Sequence, residues 1–217
     1  MKEKFKKYSL WFLKSFIWLG ILVLALDLIS KLAVVMNKDY IRSQGGIVLI
    51  NNFLRINYVI NNKMVFGIDF AGSNDANRIV FCVLALAICT GIIIYLVKKW
   101  DKTDKMFKAC FMMIIAGALG NVIDRLFYSP EFLGNPVNGV VDWIDFYGVW
   151  KFNFNIADCA VVIAAIMLVI YIIVIELVAY LKENKDKPKA IEEKEEKGKV
   201  LSKTEKKKNE FIEKKDE

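Results

Sequence analysis

Histidine is missing from all 217 residues, and that single absence excludes several chemistries. Ser-His-Asp and Cys-His hydrolysis cannot operate without the imidazole base, and the usual mixed Cys/His metal sites cannot form. Cysteine is scarce as well. Cys82, Cys89, Cys110 and Cys159 lie in or beside apolar runs at no metal-ligating spacing. They read as small hydrophobes rather than as a disulfide framework. Proline is confined to Pro130, Pro136 and Pro188, and the chain has neither a phosphate-cradling glycine loop nor an internal repeat.

What is abundant is apolar sequence, 56% of the chain, beside 25% charged residues. That mixture fits membrane spans joined to aqueous segments better than a uniform soluble domain. Four runs, at about 10–36, 79–97, 106–123 and 156–181, are long and apolar enough to cross a bilayer, which takes roughly 20 helical residues. The first follows Lys2, Lys4, Lys6 and Lys7 but is too long for a signal peptide and lacks a small-residue cleavage site, so it reads as retained. Lysines also crowd the turn between spans two and three, at Lys98, Lys99, Lys102, Lys105 and Lys108. The positive-inside rule then puts both termini and this turn in the cytoplasm, with loops 37–78 and 124–155 facing outward. The net charge of +7 thereby marks membrane orientation and not a nucleic-acid partner.

Within the first outer loop, residues 47–50 and 55–60 are rich in β-branched side chains and predict a small extracytoplasmic sheet. Residues 127–138, which include Pro130, Gly134 and Pro136, read as an irregular loop. The expected fold is therefore an all-α membrane protein of four transmembrane helices with a small surface sheet, one unit over 1–181. Residues 182–217 hold 13 lysines and 11 acids with little apolar content. Such a tail buries too little surface to offset ordering, which predicts a disordered cytoplasmic segment.

The polar residues of the apolar runs collect at one level. Asp27 and Lys31, four residues apart, share a face of span one. Asn121, Asp124 and Arg125 end span three, Asn155 and Asp158 begin span four, and Asn57 and Asn61 belong to the first outer loop. Ionisable groups at membrane depth are costly and mark function by default. Without histidine or metal, the available hydrolytic device is a carboxylate pair. Two close Asp side chains cannot both ionise, so one holds a proton while the other activates water. The residues alone do not choose among Asp124, Asp142, Asp145 and Asp158. Duller roles also fit: an intrahelical ion pair for Asp27 and Lys31, an N-cap for Asn155, and a helix-dipole partner for Asp158.

Four blocks in order carry a family resemblance. Asp27-Leu28-Ile29-Ser30-Lys31, Asn121-Val122-Ile123-Asp124-Arg125, Val140-Val141-Asp142 and Phe154-Asn155-Ile156-Ala157-Asp158 resemble the motifs of lipoprotein signal peptidase (signal peptidase II), a bacterial intramembrane aspartyl protease family. The resemblance covers roughly 10–181. It implies that Asp142 and Asp158 are the catalytic dyad, supported by Asp27, Lys31, Asn61, Asn121, Asp124, Arg125 and Asn155, with no metal or cofactor. It further implies a multi-pass enzyme of the bacterial cell membrane, working as a monomer at the outer face. Its substrates would be diacylglyceryl-modified prolipoproteins, cut just before the lipidated cysteine, and membrane lipids would be its other partners.

The chain departs from the family pattern twice. Where the family has Asn-x-Gly-Ala-Ala-Phe, this sequence has Asn61-Asn62-Lys63-Met64-Val65-Phe66, and 127–138 reads as an insertion that leaves Asp145 as a competitor of Asp142. The alternative from another class is a small proton-coupled transporter, which would favour acids near the bilayer midplane. A third is a non-catalytic membrane partner whose polar layer only joins helices. Here the acids gather at one face.

Overall fold

A computed structural model describes residues 8, 11–62 and 73–213. The chain divides into two units, Met1–Leu168 and Val169–Glu217. The first contains the helices and sheet that build the site. In the second, the described residues are all helical.

Four helices have the length and apolarity to span a membrane: Ile17–Met36, Asp75–Lys102, Lys105–Phe127 and Ile156–Asn184. They belong to α1 (Ile17–Met36), α3 (Asn74–Lys99), α4 (Lys105–Phe127) and α6 (Ile156–Glu213). Their surfaces are largely exposed Leu, Ile and Val, which in a bilayer meet lipid rather than water. The expected first span over 10–36 is interrupted. Residues 11–15 are helical, but Phe16 has φ 60° and the long helix starts after it. There the Ile17 amide donates to Ser15 Oγ at 3.2 Å. The third helix is capped by Ser73, whose Oγ accepts from the Ala76 amide.

Two short helices and one sheet complete the first unit. Helix α2 (Lys38–Ser43) follows α1, and α5 (Pro130–Leu133) lies between α4 and the third strand. The region 127–138 expected to be irregular thus contains a helical turn. Ser129 accepts from the Phe132 amide, Pro130 occupies the first turn and Gly134 closes it in the left-handed region at φ 62°. The sheet is antiparallel in the order β1 (Ile47–Ile50), β2 (Leu54–Asn61), β3 (Val140–Asp145), β4 (Asn153–Phe154). The first two strands fall where β-branched sequence predicts them. The other two come from the second long loop, so the sheet is wider than the first loop alone could make it.

A cluster of Val34, Val35, Ile41, Tyr58, Leu133 and Val141 fixes β2 and β3 against the end of α1. The Tyr58 hydroxyl donates to the Leu133 carbonyl, tying α5 into the same core. A second cluster, Val23, Ala116 and Ala160, joins α1, α4 and α6 deeper in the helices. Close approach of α4 to α6 depends on glycine. A Cβ at Gly117 would stand 2.5 Å from the Ala157 carbonyl oxygen and 2.6 Å from a methyl of Val161.

Helix α6 continues as far as Glu213. Composition argued only that the tail cannot build a core. A single helix needs none, because Lys, Glu and Ala have high helix propensity and the backbone bonds close within the segment.

Candidate active site

The start of α6 organises the site. Asn155 caps the helix: its Oδ1 accepts from the Asp158 amide at 2.8 Å, and Asp158 Oδ2 accepts from the Asn155 amide at 3.3 Å. This is a reciprocal capping box with Asp in the usual Glu position. The next orphan donor is also satisfied, since the Ala157 amide donates to Asp27 Oδ1 at 2.8 Å. The capping role open to Asp158 is therefore real, and it uses only one of the carboxylate oxygens.

The other oxygen faces α4. Asn121 Nδ2 donates to Asp158 Oδ1 at 2.8 Å. Asn121 Oδ1 accepts from Lys31 Nζ and from Asn155 Nδ2, both at 3.1 Å. Asn155 Nδ2 also donates to Asp142 Oδ1 at 2.8 Å. The second Asp142 oxygen accepts from Asn61 Nδ2 at 3.1 Å. One residue, Asn155, thus touches both carboxylates: Asp142 through its side-chain amide and Asp158 through its backbone N–H.

Lys31 sets the direction of the Asn121 amide and, through it, that of Asn155. An ammonium only donates, so the group facing it on Asn121 must be Oδ1, which turns Asn121 Nδ2 toward Asp158. Lys31 is fully buried: its ammonium donates to Asn121 Oδ1 and makes ion-pair contacts with Asp27 Oδ2 at 2.7 Å and Asp124 Oδ2 at 3.1 Å. Asp124 Oδ2 accepts as well from the Val141 amide at 3.1 Å, which pins β3 one residue before Asp142. Gly120 makes room for this arrangement. A Cβ there would lie 2.5 Å from Asp27 Oδ2 and 3.3 Å from Ala157 Cβ.

β3 presents its carboxylates to different partners. Asp142 pairs in register with Val59 and points into the amide cluster, whereas Asp145 pairs with Arg55. Arg55 Nε donates to Asp145 Oδ2 at 2.6 Å and Asn57 Nδ2 does so at 3.3 Å. Asp145, the competitor that the sequence left open, is engaged away from Asp158, and Asn57 goes with it. Arg125 is buried beside the cluster. Its Nη1 donates to the Asn121 carbonyl, and its guanidinium lies 3.8 Å from the centre of the Phe81 ring.

Burial and mutual charge act on the two central aspartates. Burial pushes the Asp142 carboxyl well above the usual carboxylate range, and the neighbouring Asp158 carboxylate adds to the rise. Hydrogen bonds from Asn61 and Asn155 oppose this without reversing it. Asp158 sits in the first turn of a long helix, where the dipole and the exposed amides favour negative charge. Among the described residues, four carboxylates, Asp27, Asp124, Asp142 and Asp158, face two buried cations, Lys31 and Arg125, so one retained proton reduces the excess. Such a pair holds an acid and a base side by side.

The structure brings Asp27, Lys31, Asn61, Asn121, Asp124, Asp142, Asn155 and Asp158 into one hydrogen-bonded network, with Arg125 against it. The altered segment Lys63-Met64-Val65-Phe66 lies outside the described residues. Among sequence motifs, the pairing of Arg55 with Asp145 went unread, and so did the Asp27 cap on α6. Only the opposite-charge pattern in facing strands could have signalled the first. The second joins groups 130 residues apart.

A buried carboxylate pair clamped by amides at the end of membrane helices defines a membrane-embedded aspartic enzyme. Comparison with known proteins makes the class specific. The family model described as signal peptidase (SPase) II matches residues 19–174. The lipoprotein signal peptidase of Fusobacterium nucleatum subsp. nucleatum is 33% identical over 156 residues, covering 71% of this chain and 84% of that protein. That of Citrobacter koseri is 34% identical, covering 71% and 87%. A solved structure described as a bacterial membrane enzyme superposes with a TM-score of 0.56 at 25% identity, covering 73% of this chain and 87% of that one. The chain belongs to the signal peptidase II family of membrane aspartic peptidases, and lipoprotein signal peptidase activity is its function.

Proposed function

We propose that Asp142 and Asp158 are the catalytic pair and that the enzyme removes signal peptides from diacylglyceryl-modified prolipoproteins, cutting before the lipidated cysteine. The observation that carries this reading is the shared clamp: Asn155 bonds to both carboxylates, while Asp145 is taken by Arg55. Asp158, ionised at the helix N-terminus, takes a proton from water as the oxygen attacks the scissile carbonyl. Asp142, which holds its proton, donates it toward the carbonyl oxygen. As the tetrahedral intermediate collapses, the C–N bond breaks and the amine leaves with a proton returned from the pair. Asn61, Asn121 and Asn155 act as positioning residues that hold the two carboxyls, and Asp27, Lys31 and Asp124 hold the amides and β3 in turn.

The orientation follows from lysine placement, with both termini and the Trp100–Lys102 turn in the cytoplasm and the aspartates at the outer face of a bacterial cell membrane. A substrate held by acyl chains and a signal helix carries its scissile bond to that level. We read the working unit as a monomer, since the whole network is drawn from one chain. The test is cleavage of a lipid-modified prolipoprotein by the native chain and by Asp142→Asn and Asp158→Asn. Each variant keeps an isosteric hydrogen-bonding group and should remain folded yet inactive. A variant retaining near-native turnover removes that residue from the pair.

A further inference from the structure

The two hairpin tips of the sheet form an apolar surface that the catalytic network does not use. Val48, Leu49, Ile50 and Phe53 on the β1–β2 hairpin and Val149 and Trp150 beyond β3 are each roughly half exposed. They form one patch rather than scattered residues. The Asn52 amide donates to the Tyr147 hydroxyl at 2.7 Å, and the Phe53 and Phe146 rings lie 5.5 Å apart. A contiguous apolar surface of this kind on a soluble face marks a binding surface.

We propose that these tips insert into the headgroup–acyl boundary of the outer leaflet, as a monotopic anchor that holds the sheet carrying Asp142 against the bilayer. The inference rests on the proposed orientation of the site. Three observations favour lipid as the occupant. First, the patch is continuous along the chain with an established lipid-facing element: β4 ends at Phe154 and the span begins at Ile156. Second, the composition is that of a membrane interface, with Trp, Phe and aliphatic side chains beside cations. Third, the charge is complementary to headgroup phosphate. Lys151 lies over the Phe152 ring at 4.9 Å and supplies the cation, and the neighbouring acid, Asp145, is already neutralised by Arg55.

The test attaches a nitroxide at Phe53→Cys and Trp150→Cys in phosphatidylglycerol-containing vesicles, with Gln44→Cys near the opposite end of β1 as the aqueous control. The native cysteines are buried or half-buried, and the labelled native chain supplies the background. Collisions with oxygen should exceed collisions with a water-soluble nickel chelate several-fold at 53 and 150, with the order reversed at 44. Equal nickel access at all three sites overturns the proposal, as does dipolar broadening that grows with protein-to-lipid ratio, which would make a second copy the occupant. The double variant Phe53→Ser/Trp150→Ser, whose side chains lie outside the core, should raise KM in vesicles while leaving kcat and micellar activity intact. An unchanged KM in vesicles also overturns it. Failure of the peptidase reading would appear separately, as no cleavage by the native chain whatever the label depth.

Discussion

Replacing Lys31 with methionine removes one ammonium from the centre of the buried network and leaves a chain of similar length. Lys31 and both of its carboxylate partners are completely buried, at 2.7 Å from Asp27 and 3.1 Å from Asp124. Deleting one member of a buried ion pair costs about 3–5 kcal/mol, because the partner is left charged and unsolvated. Two partners are abandoned here, so the loss should fall at the upper end of that range. That upper end, about 5 kcal/mol, corresponds to roughly three to four orders of magnitude in the folded-to-unfolded ratio. Asn121 would also lose one of its two donors and with it the fixed direction of its bond to Asp158. The expected kinetic signature is a fall in kcat with little change in KM. Denaturant unfolding in mixed micelles, followed by Trp fluorescence, gives the stability, and prolipoprotein cleavage gives the rates. Adding Asp27→Asn to Lys31→Met should restore part of the stability, because the amide oxygen can still accept from Ala157 while the orphaned charge is gone. A loss below about 1 kcal/mol for Lys31→Met, or simple additivity in the double variant, would refute the buried-pair reasoning.

Three other expectations follow from the geometry. Burial and the Asp158 charge push the Asp142 carboxyl up to about 8, so its proton is present at neutrality and lost as pH rises through that region. The rate should therefore fall on the alkaline side near that value, and a flat kcat/KM profile to pH 10 would contradict an acid role for Asp142. Gly120→Ala puts a Cβ 2.5 Å from Asp27 Oδ2, an overpacking that typically costs about 1–3 kcal/mol, and it should lower both unfolding midpoint and turnover. Truncation after Asn184 keeps every residue of the network and should leave turnover within about twofold; a larger loss would assign the tail a part in the reaction.

The elements legible in the sequence were those set by local pattern. Apolar length gave the spans, and β-branched runs gave β1 and β2. The strand β3 carries the same signal in Val140, Val141 and Ile144, broken by Asp142 and Asp145. Ser129-Pro130 with Gly134 four residues after Pro130 likewise marks a helical turn inside a stretch that loop composition concealed. For the site, intramembrane polarity found the layer, but it could not rank the acids. That ranking needs pairings between distant segments, such as Arg55 with Asp145 and Asp27 with the start of α6.

The most direct test of the central claim is cleavage of a diacylglyceryl-modified prolipoprotein in bilayers by the native chain and by Asp158→Asn, each verified as folded. The account predicts cleavage before the lipidated cysteine by the native chain and none by the variant. Equal cleavage by both would contradict the paired-aspartate mechanism.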